Sequence, residues 1–201
     1  TLFRSGATHQ TVEDIALMTA LPNMVVLTPA DAAETQQCVQ VAREIDGPVY
    51  IRVSRNDVLD VINPEEPFQL GKLRVLKEGK DVLIFAYGVM VEKALDAAKE
   101  LEAKGISAQV VSTATLKPFP FEDVAAMAKD FKGVVTVDEH NYIGGLASLV
   151  GLALKQSVVP FDYVAIDDTY GQSAHCAEDL YQHYGLTAEN IVSKAMNVLD
   201  K

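Results

Sequence analysis

Cysteine is scarce: Cys38 and Cys176 are the only two, far apart in the chain. They form no CxxC pair and no disulfide framework, which suits a reducing cytoplasm. Long apolar runs are missing as well. None approaches the ~20 residues a membrane-spanning helix needs, so no membrane partner is expected. The opening residues carry neither the basic start nor the apolar stretch of a secretory signal, and a cytoplasmic location is expected. Positive charge is in deficit, with 17 Lys and Arg against 28 Asp and Glu and a net charge of −11. Sequence-tolerant nucleic-acid binders need a cationic footprint over the phosphates, so no nucleic-acid partner is expected either. A phosphorylated metabolite stays open, because a few placed arginines can build a local positive site. There is no internal repeat and no low-complexity tract.

What remains is the composition of a folded globular chain, 49% apolar and 22% charged over 201 residues. That length suits one large domain, or one domain and a piece of another. β-Branched runs alternate with helical stretches, the pattern of parallel α/β proteins. Strands are expected at 25–27, 49–53, 72–76, 81–87, 108–112, 133–138 and 163–166. Helices are expected at 11–21, 30–45, 91–104, 121–130, 145–156, 177–184 and 187–199. Thr11 is a candidate cap for the first helix, with Asp14 three residues on. Lys104-Gly105 ends the third with a cation and a glycine. Leu83 to Tyr87 is nearly all apolar, as for a strand covered on both faces.

Asn56 to Leu70 breaks the alternation. It carries Asp57, Asp60, Glu65 and Glu66 with Pro64 and Pro67, so the boundary falls near Pro67 and divides the chain into residues 1–66 and 67–201. The second part can bury about two-thirds of its unfolded surface and should fold alone. The first offers two strands and two helices, and a two-stranded sheet is marginal in water. Either the chain is truncated or a partner chain completes that sheet. Thr1 to Ser5 matches the peptide encoded by the end of a common sequencing adapter, and these five residues read as non-native.

Several residues could carry chemistry. His9, within Gly6-Ala7-Thr8-His9-Gln10, precedes a helix and can exchange protons near neutral pH, or it hydrogen-bonds locally in a loop. Arg52 and Arg55 flank the carboxyl end of the 49–53 strand, the edge where open parallel sheets bind ligands. Alternation puts Arg52 in the strand and leaves Arg55 freer to grip a phosphate with both guanidinium arms; a solvated arginine is the alternative. Asp138-Glu139-His140-Asn141 ends a strand ahead of Gly144-Gly145. Those glycines either admit an anion to a helix N-terminus or allow close helix–sheet packing, and the GxGxxG pattern is absent. Glu139 and His140 are a conceivable acid–base pair, although strand neighbours point to opposite faces. His175-Cys176 lacks a third ligand at metal spacing and reads as structural or surface. Tyr181, His183 and Tyr184 belong to a helix face, and Pro118 to Phe121 shape a turn.

Taken in order and spacing, Gly6 to Gln10, Glu13-Asp14-Ile15-Ala16, Leu21-Pro22-Asn23-Met24, Pro29-Ala30-Asp31 and Val53-Ser54-Arg55 resemble the transketolase family of thiamine-diphosphate enzymes. The similarity there is to the second half of the pyrimidine-binding domain. Leu116-Lys117-Pro118, Glu139-His140, Gly144-Gly145, Gly171-Gln172-Ser173 and Tyr184 to Thr187 with Ile191 resemble the family's C-terminal domain. Everything after Ser5 is covered, most like a separate C-terminal transketolase subunit.

The resemblance implies an incomplete parallel-sheet piece of a pyrimidine-binding domain, then a mostly parallel three-layer α/β/α domain. It implies transfer of a two-carbon ketol unit from a ketose phosphate to an aldose phosphate in pentose phosphate metabolism. Thiamine diphosphate and a divalent metal such as Mg are the implied cofactors; their main ligands, among them the glutamate that activates the aminopyrimidine, lie outside this chain. The implied partners are sugar phosphates and either a second copy in a homodimer or an N-terminal transketolase subunit. By the same resemblance His9 contacts donor hydroxyls and assists proton transfer, and Arg55 helps hold the substrate phosphate. The chain alone is expected to be inactive. Alternatives are a fragment of 1-deoxy-D-xylulose-5-phosphate synthase, a 2-oxoacid dehydrogenase beta subunit, or a non-enzymatic dimerisation module.

Overall fold

A computed structural model of the chain describes residues 6–55 and 57–200, without the side chain of His9. The expectation that residues 1–5 are non-native lies outside the described residues. The first half contains a single 3-10 turn at Ala7–His9, helix α1 (Asp14–Ala20), strand β1 (Val25–Leu27), helix α2 (Ala32–Ala42) and strand β2 (Val49–Ile51). β1 and β2 pair in parallel. The cap of α1 is Glu13 rather than Thr11; the Thr11 carbonyl is taken by the Arg52 side chain (3.2 Å). Asp31 caps α2 by accepting the Glu34 amide at 2.9 Å. Its other oxygen accepts the amides of Val61 and Ile62, both at 2.8 Å, which fastens the acidic 57–66 stretch against α2.

The sheet of the first half gains a third strand from within the same chain. Strand β6, named by its place in chain order, is Thr115–Lys117 and pairs antiparallel with β1, giving the order β2-β1-β6. On sequence alone, that neighbour is expected from residues outside this chain or from a partner. Three residues of Thr-Leu-Lys ahead of a proline carry too little periodicity to announce a strand. Pairing nonetheless satisfies the open edge of β1 and buries Leu116.

The second half also contains β3 (Arg74–Lys77), β4 (Val82–Ala86), β5 (Ala108–Ser112), β7 (Gly133–Asn141) and β8 (Phe161–Ile166), with helices α3 (Met90–Ala103), α4 (Phe121–Ala128), α5 (Leu146–Ala153), α6 (Ala177–Tyr184) and α7 (Ala188–Leu199). The sheet order is β3-β5-β4-β7-β8. β3 runs antiparallel to β5, and the other neighbours are parallel. Alternation along β4 separates two cores. Val82, Ile84 and Ala86 face α3 and α7, whereas Leu83, Phe85 and Tyr87 face α4 and α5. Helix α3 turns Met90, Val91, Ala94, Ala97, Ala98 and Leu101 to the sheet, a spacing of three and four that places them on one side. Burying a side chain such as Leu101 contributes about 1.5–3 kcal/mol. The helix ends at Lys104 and Gly105, with φ +80° at the glycine, the left-handed geometry that glycine adopts without strain.

Candidate active site at the joint of the two sheets

The chain leaves β4 for α3 on one face of the large sheet and leaves β7 for α5 on the other. The loops after β4 and β7 therefore part company, and the crevice beyond their carboxyl ends is where open α/β sheets hold ligands. Here it is lined by Tyr87, Gly88, Val89 and Glu139 from the second half, and by Thr28, Pro29, Arg52, Val53 and Ser54 from the first. The carboxyl ends of both sheets thus meet at one place.

Arg52 lies at their meeting point. It follows β2 by one residue, and its side chain is 9% exposed. Nε faces Asp14 at 3.1 Å and Nη1 faces Glu139 at 3.4 Å. Nη2 donates to the carbonyls of Thr11 (3.2 Å) and Glu139 (3.0 Å). Burial opposes the charge, but the Glu139 carboxylate outweighs it with help from Asp14 and holds the guanidinium above its usual range. The Tyr50 hydroxyl also donates to Asp14, at 2.8 Å; burial, then that bond, pushes the phenol up to about 12. Arg55 lies three residues on, exposed in the loop. His9 closes the turn that leads into Thr11, and its side chain lies outside the described residues. One guanidinium, bound to the Thr11 carbonyl, therefore ties the segment just past the turn of His9 to the strand end that leads into the loop of Arg55.

The Glu139–His140 pair is not available as an exposed acid and base. Glu139 is committed to Arg52, and His140 is fully buried. The His140 Nδ1 lies 2.7 Å from the Asn141 carbonyl, while Nε2 accepts the Ala16 amide at 3.4 Å. These partners select the tautomer with the proton on Nδ1. Burial pushes the imidazole pKa below its usual value. Gly144 and Gly145 serve close packing. A Cβ on Gly144, whose φ is +77°, would lie 2.5 Å from the Ala16 methyl, and one on Gly145 would overlap an Asp138 oxygen. The Leu146 amide at the head of α5 is already bound by Asp138 at 2.9 Å, so a side chain stands where an anion would.

The remaining candidates lie elsewhere. Cys176 is exposed and opens α6, its amide donating to Asp179 at 3.3 Å. The His183 ring packs edge-on against Tyr184, whose hydroxyl donates to the Tyr170 carbonyl. Among the described residues, no three His, Cys, Asp or Glu side chains group as a metal ion would need.

Sequence reasoning named Arg52 and the 171–173 motif but missed what each one contacts. Arg52 directly follows the apolar Val-Tyr-Ile of β2, and a charge in that setting signals buried carboxylate partners. The second is the 171–173 loop, which covers the turn of His9: Gln10 donates to the Gln172 carbonyl at 2.7 Å, and Gly171 packs against Gln10.

The sequence model of the transketolase pyrimidine-binding domain matches residues 2–59, and that of the transketolase C-terminal domain matches residues 71–191. The chain belongs to the transketolase family. It is 38% identical to a Methanocaldococcus jannaschii protein named as a transketolase C-terminal section, covering 100% of this chain and 64% of that one. A 6-deoxy-6-sulfo-D-fructose transketolase subunit from a Clostridium species is 37% identical, over 98% of this chain and 61% of the relative. A solved structure described as a split-gene transketolase, inactive beta4 tetramer, superimposes with a TM-score of 0.92 at 47% identity, over 97% of this chain and 64% of the other. The chain thus spans somewhat less than two-thirds of each of these three proteins. That solved neighbour carries the same mixed α/β arrangement of parallel sheet pieces.

Proposed function

We propose that this chain is the acceptor- and donor-sugar side of a thiamine-diphosphate-dependent transketolase, moving a two-carbon ketol unit between sugar phosphates. The observation that supports the reading is the Arg52 junction, whose bond to the Thr11 carbonyl ties the chain two residues past His9 to the end of β2, three residues before Arg55. On this reading Arg55 grips the anionic end of the sugar, and His9 hydrogen-bonds the hydroxyls at the reacting end and moves a proton there. The Clostridium relative is named for a sulfo sugar, so Arg55 is expected to accept a phosphate or a sulfonate. Thiamine diphosphate, with a divalent metal such as Mg, supplies carbanion stabilisation when bound. Its ligands come from the rest of the assembly, either an N-terminal transketolase subunit or a second copy in a homodimer. The chain alone is inactive, the division near Pro67 separates the two family domains, and the assembly works in the cytoplasm in pentose phosphate metabolism.

The test uses the assembled enzyme, with a sugar and its phosphate as paired substrates. Arg55→Ala weakens the phosphorylated substrate and spares the other. A charge-assisted bond of roughly 1.5–3 kcal/mol corresponds to about 10- to 100-fold in kcat/KM. Arg55→Lys recovers part of this, since an ammonium lacks the guanidinium fork. His9→Ala lowers kcat for both substrates. Equal losses on the two substrates for Arg55→Ala would remove the phosphate role.

A further inference from the structure

The crevice between the β4 and β7 loops is a ligand position by topology, yet in this chain a protein group fills it. Arg52 enters from the first half and meets both the carboxylate and the carbonyl of Glu139. Around it three backbone amides stitch the halves together, two to carbonyls and one to the His140 ring. The Asn141 amide donates to Val12 (2.8 Å), the Gly88 amide to Thr28 (3.3 Å), and the Ala16 amide to His140 (3.4 Å). From a second direction the 171–173 loop presses on the turn of His9. A Cβ on Gly171 would lie 2.6 Å from Gln10 Oε1 and 3.3 Å from the Ala7 carbonyl, and one on Gly6 would lie 3.2 Å from Ser173 Oγ.

We propose that Arg52 is a positioning residue: seated in the crevice of the C-terminal sheet, it holds the turn of His9 and the loop of Arg55 in one fixed relation. The C-terminal domain then contributes to ketol transfer without touching substrate. Only the activity arm of this inference rests on the function proposed above. The physical reason is the number and spread of the acceptors. Asp14, the Glu139 carboxylate and the carbonyls of Thr11 and Glu139 lie around one planar fork, and a lysine ammonium cannot meet all four at once. The carboxylates belong to α1 and β7, and the carbonyls to the entry of α1 and the end of β7. Loss of the fork therefore frees the two site segments from each other before it unfolds either sheet.

Arg52→Lys keeps the charge and so avoids stranding two buried carboxylates. In the 201-residue chain, hydrogen exchange at amides 7–12 and 53–55 should quicken about tenfold or more, the scale of a lost charge-assisted bond, while β4 and β7 amides stay unchanged. Gly171→Ala, which drives a methyl at Gln10, should quicken 7–12 and leave 53–55 alone. In the assembled enzyme Arg52→Lys should raise KM for a phosphorylated donor and lower kcat together, since the phosphate grip and the proton-moving group lose their common reference. Unchanged exchange in both segments, or acceleration spread evenly over the chain, overturns the proposal. An assembled wild-type enzyme with no ketol transfer would reject the function reading, and the exchange pattern would still decide the role of Arg52.

Discussion

Asp138 sits fully buried at the end of β7, one oxygen bound by the Leu146 amide. Among the described residues no donor reaches its other oxygen. Burial pushes the carboxyl pKa up to about 7, against the pull of the Leu146 amide and Arg52. The folded protein therefore holds a proton that the unfolded chain releases near pH 4. Between about pH 4 and 7 the folded state binds more protons, so this group makes stability fall as pH rises, and its contribution is level above about 7. His140 acts in the opposite sense. Its lowered pKa favours the neutral ring, and the stability this gives is lost as pH falls below the unfolded value. Asp138→Asn keeps an acceptor for Leu146 and cannot titrate. Urea unfolding at pH 5 and pH 8 should show the wild type losing stability relative to the variant on going to the higher pH; parallel changes in the two proteins would mean that Asp138 titrates as an ordinary carboxyl. The sequence reading found Asp138 and His140 but not their state, because burial and tautomer depend on α1 and α5 lying over the end of β7.

Helix α1 shows how one element is finished by another. Its last carbonyls, Thr19 and Leu21, accept from the Lys117 ammonium on β6, at 2.7 Å for Thr19. A cation at a helix C-terminus also meets the negative end of the helix dipole. Lys117→Met should cost about 1 kcal/mol, lowering Tm by roughly 2–4 °C, with faster amide exchange confined to α1. A loss spread over α2 and β2 as well would show that Lys117 supports the whole first half. At this scale the sequence was legible where a period runs long enough. Helix α6 falls on its expected residues, and α3 and α7 lie within one residue of theirs, because each carries an apolar stripe over two turns or more. β6 was invisible for the opposite reason: three residues cannot show a period, and only the open edge of β1 makes them a strand.

Across the whole molecule, the first half is covered rather than marginal. Ile15, Val26 and Leu27 are fully buried, and Ile15 and Val26 share a core with Phe85, Leu116 and Leu146 of the second half. Hydrogen exchange on the chain alone should therefore find β1 amides protected together with those of β4 and β7, as one cooperative unit. Rapid exchange before residue 55 beside slow exchange in β4 would show the halves opening separately. The sequence by itself determined the α/β class, the number and order of the helices, the family motifs, and Arg55 as an arginine in the loop beyond a strand. These are local matters, set by periodicity, turn residues and spacing along the chain. Tertiary structure decided what Arg52 and Glu139 do, why Gly144 and Gly171 must be bare, and where β1 finds its second neighbour. Each of those depends on groups scores of residues apart meeting in a space that only packing creates, where a buried charge is stable solely because its partners arrive from another element.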